Sequence, residues 1–255
     1  MTIVTLTTDL GVQDYYAGAL KGAILRECPD VQVADITHAI PSHDIVRGAF
    51  VLRNAYPHFP AGTIHLLSVH NFYAPDRRML ALRFQDHLFL GPDNGIFSLV
   101  FERQPDQAVI LEDTGRGLLS YQQVYAQAIG KLAAGVPLEE LGQALGAIAE
   151  RIHLRPVVSA NQIRGTVIHV DKFENVVVNV DRALFEQVRK ERDFALYFKR
   201  HEPITTLSRD YCDVPMGEVL CLFNSAGYLE IAIHMGKASS MLGLEVDDAV
   251  RIDFL

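Results

Sequence analysis

Polar segments follow two predicted strands in the first half of the chain, and their side chains suit acid–base chemistry and ligand binding. Thr7–Gly11 places Asp9 directly after the strand predicted at Ile3–Thr7. His70–Arg78 follows the strand predicted at Thr63–Val69 and holds an imidazole, a phenol, a carboxylate and two guanidiniums. Histidine transfers protons near neutral pH, and arginine supplies fixed positive charge. Because open α/β sheets bind ligands at the carboxyl ends of their strands, both segments are candidates for a functional site.

The segment around Asp9 matches neither of the common nucleotide-binding patterns. The sequence has no GxGxxG fingerprint and no GxxxxGKS/T loop. An acidic residue at this position suits hydroxyl groups, such as those of a ribose, better than it suits phosphate. The alternative interpretation is that Asp9 or Asp14 only caps the helix predicted at Tyr15–Glu27.

A third polar segment, Gly91–Gly95, follows the strand predicted at His87–Leu90 and has the sequence GPDNG. Its Asp93 and Asn94 belong to the residue types that tolerate the backbone of tight turns. Composition alone therefore favours a structural turn, with a contribution to a site as the alternative.

Ten histidines suggest a metal site, for which strand ends would supply the ligands. The candidate ligands are Asp9, His38, His43 and His70. No HxH, HExxH or paired Cys/His spacing supports such a site. We therefore predict no metal and no other cofactor.

Charge and composition restrict the partners of the chain. Its 255 residues include 23 Lys and Arg against 31 Asp and Glu, a net charge of −8 that disfavours nucleic acid as a partner. Hydrophobic residues make up 49%, as in a well-packed soluble protein, yet no run approaches the roughly 20 apolar residues that cross a bilayer. The N-terminus lacks a basic leader, and Cys28, Cys212 and Cys221 show no CxxC spacing. These features predict a cytoplasmic protein without membrane association.

The hydrophobic pattern divides the chain into two domains. Strand-like and helical segments alternate over residues 1–155, which predicts an α/β domain built as a sheet with flanking helices. Further helices are predicted at Asp44–Tyr56, with Asp44 as cap, and at Tyr121–Ala134. Further strands are predicted at Val31–Asp35 and Met79–Phe84.

Residues 156–255 are dominated by short apolar strands, which predicts a smaller β-barrel-like domain. The predicted strands are Gln162–Val170, Val176–Val180, Phe194–Phe198, Glu218–Phe223, Tyr228–Ile233 and Ala249–Asp253, with a helix at Arg182–Lys190. Two polar segments between strands, beginning at Asp171 and Asn224, have the composition of hairpin turns.

Taken in order, seven segments resemble the family of S-adenosylmethionine hydroxide adenosyltransferases, which is related to the fluorinases and chlorinases. Together they extend over essentially the whole chain. They are Thr5–Gly22, Val33–Ile45, Phe59–Val69, Leu90–Ser98, Lys131–Gly142, Val170–Val180 and Asn224–Leu244.

The resemblance implies a homotrimer in which S-adenosylmethionine, a small-molecule ligand, lies between the N-terminal domain of one subunit and the C-terminal domain of its neighbour. It also implies roles for individual side chains. Asp9 would hold the ribose hydroxyls, Asp171 and Ser225 the methionine end, and Asn175 the adenine. Phe173 would pack nearby, the main chain at His234–Met235 would meet the adenine edge, and Asp93 and Asn94 would shape the site.

The chain departs from the family pattern at the residues that activate water. The family has an Asp at the head of one loop, an Arg seven residues later and a His in an FHGRD-type segment. Here Arg77 is retained, His70 replaces the Asp, and Ser120 stands at the place of the His. The halide-site residues of the halogenases are not reproduced at Val69–Tyr73 or Leu118–Tyr121 either.

Two hypotheses follow from this combination. The first is an enzyme that hydrolyses S-adenosylmethionine to adenosine and L-methionine by attack of water on the ribose C5′ atom. In it, neutral His70 accepts a hydrogen bond from the water, while Arg77, with Ser120 or Tyr121, fixes its geometry. The alternative is a protein of the same fold that binds S-adenosylmethionine or adenosine without turnover.

Overall fold

The computed structural model describes residues 1–112, 120–151 and 155–255, which form two compact units, residues 1–152 and 153–255. Helices and strands alternate in the first unit. In chain order they are β1 (Ile3–Thr8), α1 (Tyr16–Glu27), β2 (Gln32–Thr37), α2 (Ile45–Ala55), β3 (Ile64–Ser68), β4 (Met79–Phe84), β5 (His87–Pro92), α3 (Ile96–Val100), β6 (Gln107–Leu111), α4 (Ser120–Ala133) and β7 (Gly142–Ala144).

The strands of the first unit form one seven-stranded mixed sheet in the order β2-β1-β3-β5-β4-β6-β7. The neighbours β2, β1, β3 and β5 run parallel, whereas β4, β6 and β7 pair antiparallel. The carboxyl ends of the parallel strands therefore lie at one edge of the sheet, which is where ligands bind such folds.

Alternate residues of the central strands enter two different hydrophobic clusters. Val4 and Leu6 of β1 pack with α1 and α4, while Leu67 of β3 packs with α2 and α3. Successive side chains of a strand point to opposite faces, so helices cover both sides of the sheet. The predicted α/β domain with flanking helices is confirmed.

The ends of the helices have identifiable causes. Asp44 accepts the main-chain N–H of Arg47 at 2.9 Å and caps α2, as predicted. After α4, Gly135 has φ +85° and the N–H of Val136 bonds to the carbonyl of Lys131 at 3.0 Å, a left-handed end that favours glycine. No prediction covered α3, β6 or β7.

The second unit is a curled sheet with two helices. In chain order its elements are β8 (Val157–Val158), β9 (Gln162–Val170), β10 (Val176–Asp181), α5 (Arg182–Arg189), β11 (Phe194–Phe198), β12 (Val219–Phe223), β13 (Tyr228–Ile233), α6 (Ala238–Leu242) and β14 (Ala249–Phe254). The main strand order is β11-β14-β9-β10-β13-β12, with antiparallel pairing throughout.

A segment between β11 and β12 joins the two ends of this sheet. Ile204 forms a bridge with Leu196 of β11, and Leu207 forms a bridge with Cys221 of β12. We refer to residues 204–208 as the closing segment. Phe185 of α5 fills the interior and is fully buried. The smaller β-barrel-like domain predicted for this part of the chain is confirmed.

Two features bear on the expectations from composition. Cys28, Cys212 and Cys221 are free thiols. Across the three described ranges, the helices all fall short of the length and hydrophobicity needed to cross a membrane.

A chain of buried polar groups runs through the first unit beneath α2. The Thr5 hydroxyl lies 2.7 Å from Nδ1 of His65, and Nε2 of His65 lies 3.1 Å from Nδ1 of His87. His65 has no exposed surface, and the rings of Tyr56 and Phe89 pack against it. Burial, with a smaller contribution from His87, lowers the pKa of His65 to about 3. The imidazole is therefore neutral in the folded protein at neutral pH.

We expect this imidazole to make the protein acid-sensitive. An unfolded histidine takes up a proton near pH 6.5, but His65 does so in the folded state only near pH 3. As pH falls through that interval the unfolded state binds more protons, so the free energy of unfolding drops by up to about 1.4 kcal/mol per pH unit. Denaturant unfolding of His65→Gln should show a shallower pH dependence than wild type from about pH 7 to about pH 5. The exposed-site control His58→Gln should keep the wild-type slope, and an unchanged slope in His65→Gln would contradict this account.

Candidate functional site

The carboxylate of Asp9 joins three loops at the carboxyl edge of the first sheet. Its Oδ2 atom accepts the main-chain N–H of His43 at 3.0 Å and that of His70 at 3.1 Å. The helix α1 has no side-chain cap, so Asp9 and Asp14 do not have the capping role considered as the alternative. Both bonds use the same carboxylate oxygen, so Asp9 fastens the loops that carry His43 and His70 to the end of β1.

The two histidines bound to Asp9 have unusual backbones. His43 has φ +68° and His70 has φ +54°, in the left-handed region that residues other than glycine rarely adopt. Their ring centroids lie 4.7 Å apart. Within the described residues, the ring nitrogens of His70 form no hydrogen bond with the protein. A strained backbone of this kind persists only where surrounding contacts hold it, and here Asp9 supplies them.

The loop after β3 is also fixed from within the core. Asn71 donates from Nδ2 to the Ser68 hydroxyl at 2.9 Å and accepts the Tyr125 hydroxyl at 3.1 Å. All three side chains are buried. The position of the His70 ring therefore depends on a polar cluster that is closed to solvent.

Arg77 lies at the end of an aromatic stack. Its guanidinium carbon lies 4.7 Å from the centroid of the Phe72 ring, and Phe72 meets Tyr121 of α4 edge to face at 5.5 Å. The cation–π contact holds the Arg77 guanidinium against the Phe72 ring. The structure thus places Arg77, which the family pattern retains, near the beginning of α4.

Tyr121 is a candidate that the sequence reasoning treated only as an alternative to Ser120. Its buried hydroxyl accepts the side-chain amide of Gln122 at 3.2 Å, and the same amide donates to the Tyr16 carbonyl at 3.4 Å. Burial raises the pKa of Tyr121, and the nearby Asp9 carboxylate raises it further against the opposing effect of Gln122. The phenol therefore stays protonated and can donate its own hydrogen. Ser120 is also buried, one residue earlier in α4.

The GPDNG turn at the end of β5 supports the His70 loop through hydrogen bonds to its main chain. Nδ2 of Asn94 donates to the carbonyls of Val69 at 3.0 Å and His70 at 3.2 Å, while its Oδ1 accepts the N–H of Ile96 at 3.1 Å. Asn94 is buried, so these contacts use the polar atoms of its side chain within the protein. Asn94 therefore fixes the main chain of the His70 loop, and its role in shaping a ligand site stays a prediction.

Asp93 anchors the same turn. Its buried carboxylate accepts the Arg78 guanidinium and the main-chain N–H of Ala149, the latter at 2.8 Å. The following Gly95 has φ +91°, and Arg151 packs against it so closely that a Cβ would lie 2.4 Å from the Arg151 side chain. Both the positive φ and the closeness of Arg151 therefore favour glycine at position 95.

In the second unit, the turn between β9 and β10 is organised by Asp171. Its Oδ1 accepts the N–H groups of Phe173 and Asn175, both at 2.8 Å, and its Oδ2 accepts the Asn175 side chain at 3.2 Å. Glu174 ties the turn to α6 through Lys237 at 2.8 Å. The ring of Phe173 is left exposed.

The turn between β12 and β13 depends on a buried carboxylate that the sequence reasoning missed. Glu230 accepts the Tyr211 hydroxyl at 2.7 Å and the Asn224 side-chain amide at 3.0 Å. Asn224 in turn accepts the N–H groups of Ala226 and Tyr228 at 3.0 and 3.2 Å, which fixes the turn that presents the exposed Ser225. The signal was a glutamate within the apolar run of β13.

Two further observations concern predicted ligands. Met235, just after β13, is exposed and has φ +56°, while the preceding His234 ring bonds to the Val214 carbonyl at 2.7 Å.

Among residues 1–112, 120–151 and 155–255, no three His, Cys, Asp or Glu side chains are grouped so that they could hold a metal ion. His38, one of the four candidate ligands, is bound instead to Thr8 at 2.8 Å and to Asp35 at 3.1 Å.

The chain thus has the two-domain architecture of an α/β unit, with polar loops at the carboxyl edge of its sheet, followed by a curled β unit. Residues 4–142 match the SAM hydroxide adenosyltransferase N-terminal domain, and residues 165–251 match the C-terminal domain of that name. The chain belongs to the SAM hydroxide adenosyltransferase family, as the resemblance implied.

Relatives of known sequence and structure extend over the whole chain. A protein of Salinispora tropica named (R)-S-adenosyl-L-methionine hydrolase is 30% identical, over 98% of this chain and 97% of its own. One of the same name from Methanocaldococcus jannaschii is 29% identical, over 99% of this chain and 96% of its own. The crystal structure of an uncharacterized conserved protein from Thermotoga maritima has a TM-score of 0.87 at 28% identity, covering 99% of both chains.

We expect the support of the His70 loop by Asn94 to be measurable as stability. Asn94→Asp keeps the acceptor for Ile96 but removes the two donors that face the carbonyls of Val69 and His70. The buried carbonyls lose their partners, so the free energy of unfolding should fall by about 2 to 4 kcal/mol in urea denaturation. The matched control Asn161→Asp changes an exposed asparagine, and its free energy of unfolding should stay close to that of wild type. Equal denaturation midpoints for the two variants would refute the role of Asn94.

Proposed function

We propose that this protein hydrolyses S-adenosylmethionine to adenosine and L-methionine. The observation that carries the proposal is the junction at Asp9, which holds His70 beside the carboxylate assigned to the ribose. The relatives from Salinispora tropica and Methanocaldococcus jannaschii, both named as hydrolases of this compound, support it because the similarity extends over nearly the whole of each chain. S-adenosylmethionine is the substrate in this proposal, and no cofactor is required.

In the proposed reaction a water oxygen forms a bond to the ribose C5′ atom while the bond between C5′ and sulfur breaks. The electron pair of the broken bond goes to sulfur, whose positive charge disappears as methionine leaves. The attacking water loses a proton, which His70 accepts in its neutral form. The rate depends on holding the water in line with the carbon–sulfur bond and on excluding bulk solvent.

The remaining groups of the first unit orient this water and the ribose. The Oδ1 atom of Asp9 takes the ribose hydroxyls. Arg77, held on the Phe72 ring, and the protonated Tyr121 donate hydrogen bonds that fix the water, and Ser120 supplies a further hydroxyl beside them. Tyr121 thereby contributes a donor at the segment where the family histidine is replaced.

The second unit supplies the groups for the two ends of the substrate. We assign the methionine end to Asp171 and Ser225 and the adenine to Asn175, with Phe173 packed on the ring system. The main chain at Met235 meets the adenine edge. The rigid hydrogen bonding of both turns supports these roles, because it holds the groups in place before the ligand arrives.

We further propose that the protein is a homotrimer in which these turns complete the site of a neighbouring copy. Exposed apolar side chains on the assigned loops support this assembly: Phe72, Phe173 and Met235 are 49, 74 and 80% exposed in the single chain. The free thiols of all three cysteines support a reducing location, which we propose to be the cytoplasm.

The test of the hydrolysis is an isotope experiment with the purified full-length protein. In oxygen-18 water, adenosine should gain one labelled oxygen at its 5′ position and methionine should gain none, as measured by chromatography and mass spectrometry. His70→Ala should lower kcat by about 100-fold because the proton acceptor is lost. The control His58→Ala changes an exposed histidine and should keep the wild-type rate.

The absence of adenosine above a protein-free blank would overturn the hydrolase proposal. An equal rate for wild type and His70→Ala would leave the hydrolysis standing and overturn the catalytic role of His70. Calorimetry that detects S-adenosylmethionine binding without turnover would identify a binding protein of the same fold instead.

We expect the assembly to depend on the exposed rings and thioethers of the assigned turns. Light scattering after size-exclusion chromatography should give three times the mass of one chain for the wild type. Phe173→Asp combined with Met235→Asp should shift the protein toward the monomer and raise the KM for S-adenosylmethionine. Met216→Asp, which charges a side chain that is 75% exposed outside these turns, should leave the trimer intact. A monomeric wild type with full activity would exclude the shared site.

A further inference from the structure

A groove rich in arginine lies in the second unit, between α5 and the closing segment. Its volume is about 410 Å³, within the range of small-molecule sites. Arg182 and Arg189 of α5 line one side, while Thr205, Thr206, Ser208 and Arg209 line the other. None of the side chains assigned to S-adenosylmethionine contributes to it, so the groove is unexplained by the proposed function.

The charge of the groove is opposite to that of the protein. Three arginines line it, and the described residues that complete its wall include no aspartate or glutamate. The chain as a whole carries a net charge of −8. Within the described residues, none of the three guanidiniums forms an ion pair with a carboxylate. Asp213 accepts the main-chain N–H of Arg209 at 2.7 Å.

Two of the guanidiniums are held by aromatic rings before any ligand binds. The guanidinium carbon of Arg182 lies 4.5 Å from the centroid of Phe223, and that of Arg189 lies 5.6 Å from the centroid of Phe194. Arg189 is fixed further by donating from Nε to the carbonyl of Arg192 at 2.9 Å. Cation–π contacts of this kind use the ring face rather than a hydrogen-bond acceptor, so N–H groups of these guanidiniums can still donate to an anion.

The opposite wall is rigid and supplies hydroxyl groups. The main-chain N–H of Ser208 donates to the Cys221 carbonyl at 2.9 Å, and Leu207 bridges to the same strand. Ser208 is nearly buried, whereas Thr205 and Thr206 are exposed toward solvent. The hydroxyls of the closing segment and the guanidiniums of α5 therefore place donors around one small volume.

We propose that this groove binds a small phosphate-bearing anion. Guanidinium forks match the spacing of phosphate oxygens and bind them through two parallel hydrogen bonds, which a single point charge does not achieve. The hydroxyls of the closing segment supply the donors for the remaining oxygens. The proposal concerns binding alone and stands apart from the hydrolysis of S-adenosylmethionine.

The test is calorimetry of the full-length protein with inorganic phosphate and with pyrophosphate, at constant ionic strength set by chloride. Wild type should bind at least one of the two, and Arg182→Gln combined with Arg209→Gln should raise the Kd at least tenfold. Arg182→Lys combined with Arg189→Lys keeps the charge but removes the forks, and it should weaken binding as well. The matched control Arg164→Gln removes an exposed arginine of β9 outside the groove and should bind like wild type.

Each outcome bears on the groove directly. Tighter binding of pyrophosphate than of phosphate identifies a ligand with linked phosphates, and the reverse order identifies a single phosphate group. No heat with either anion would overturn the proposal. An equal loss of affinity in Arg164→Gln would show that overall charge, rather than the groove, decides binding. Lysine variants that bind as tightly as wild type would show that the guanidinium forks are not needed. Either result would overturn the proposal. Because none of these readouts uses S-adenosylmethionine, they are independent of whether the hydrolysis is observed.

Discussion

Two main-chain N–H groups converge on one oxygen of Asp9, and the arrangement of the candidate site depends on this junction. Hydrogen bonds to a charged group contribute about 1.5 to 3 kcal/mol each, whereas a left-handed backbone costs about 1 to 3 kcal/mol per residue. The two terms are of similar size, so the carboxylate can hold both His43 and His70 in their strained conformations. One side chain thus sets the positions of the loops after β2 and β3, and in the proposed reaction it also faces the substrate.

The departure from the family pattern that the sequence indicates falls on His70 and Ser120. Next to Ser120, the buried Tyr121 accepts the side-chain amide of Gln122. The Arg77 guanidinium packs against the Phe72 ring, which meets Tyr121 edge to face. In the proposed reaction these polar groups take over the task of orienting the water from the residues that the family uses.

Much of the architecture could be predicted from hydrophobic periodicity. Apolar and polar residues alternate along a strand with one buried face, whereas apolar residues recur every three to four positions along an amphipathic helix. The bounds of β9, β11 and β13 match the prediction residue for residue. The segments α3 and β7 were missed because five and three residues are too short to show a period. The Asp9 junction could not be predicted for another reason. Every residue except proline carries a main-chain N–H group, so the sequence does not indicate which of these groups a carboxylate will bind. Glu230 was within reach, because a glutamate inside an apolar strand requires a partner.

The closing segment affects how readily the second unit can associate with other molecules through its strand edges. A curled sheet of this kind ends in β11 and β12, whose outer main-chain groups would be open to strands of other molecules. By bridging to Leu196 at one end and to Cys221 at the other, residues 204–208 cover part of both borders with the chain's own backbone. The same segment therefore leaves less main chain at these two borders open to strand-to-strand association.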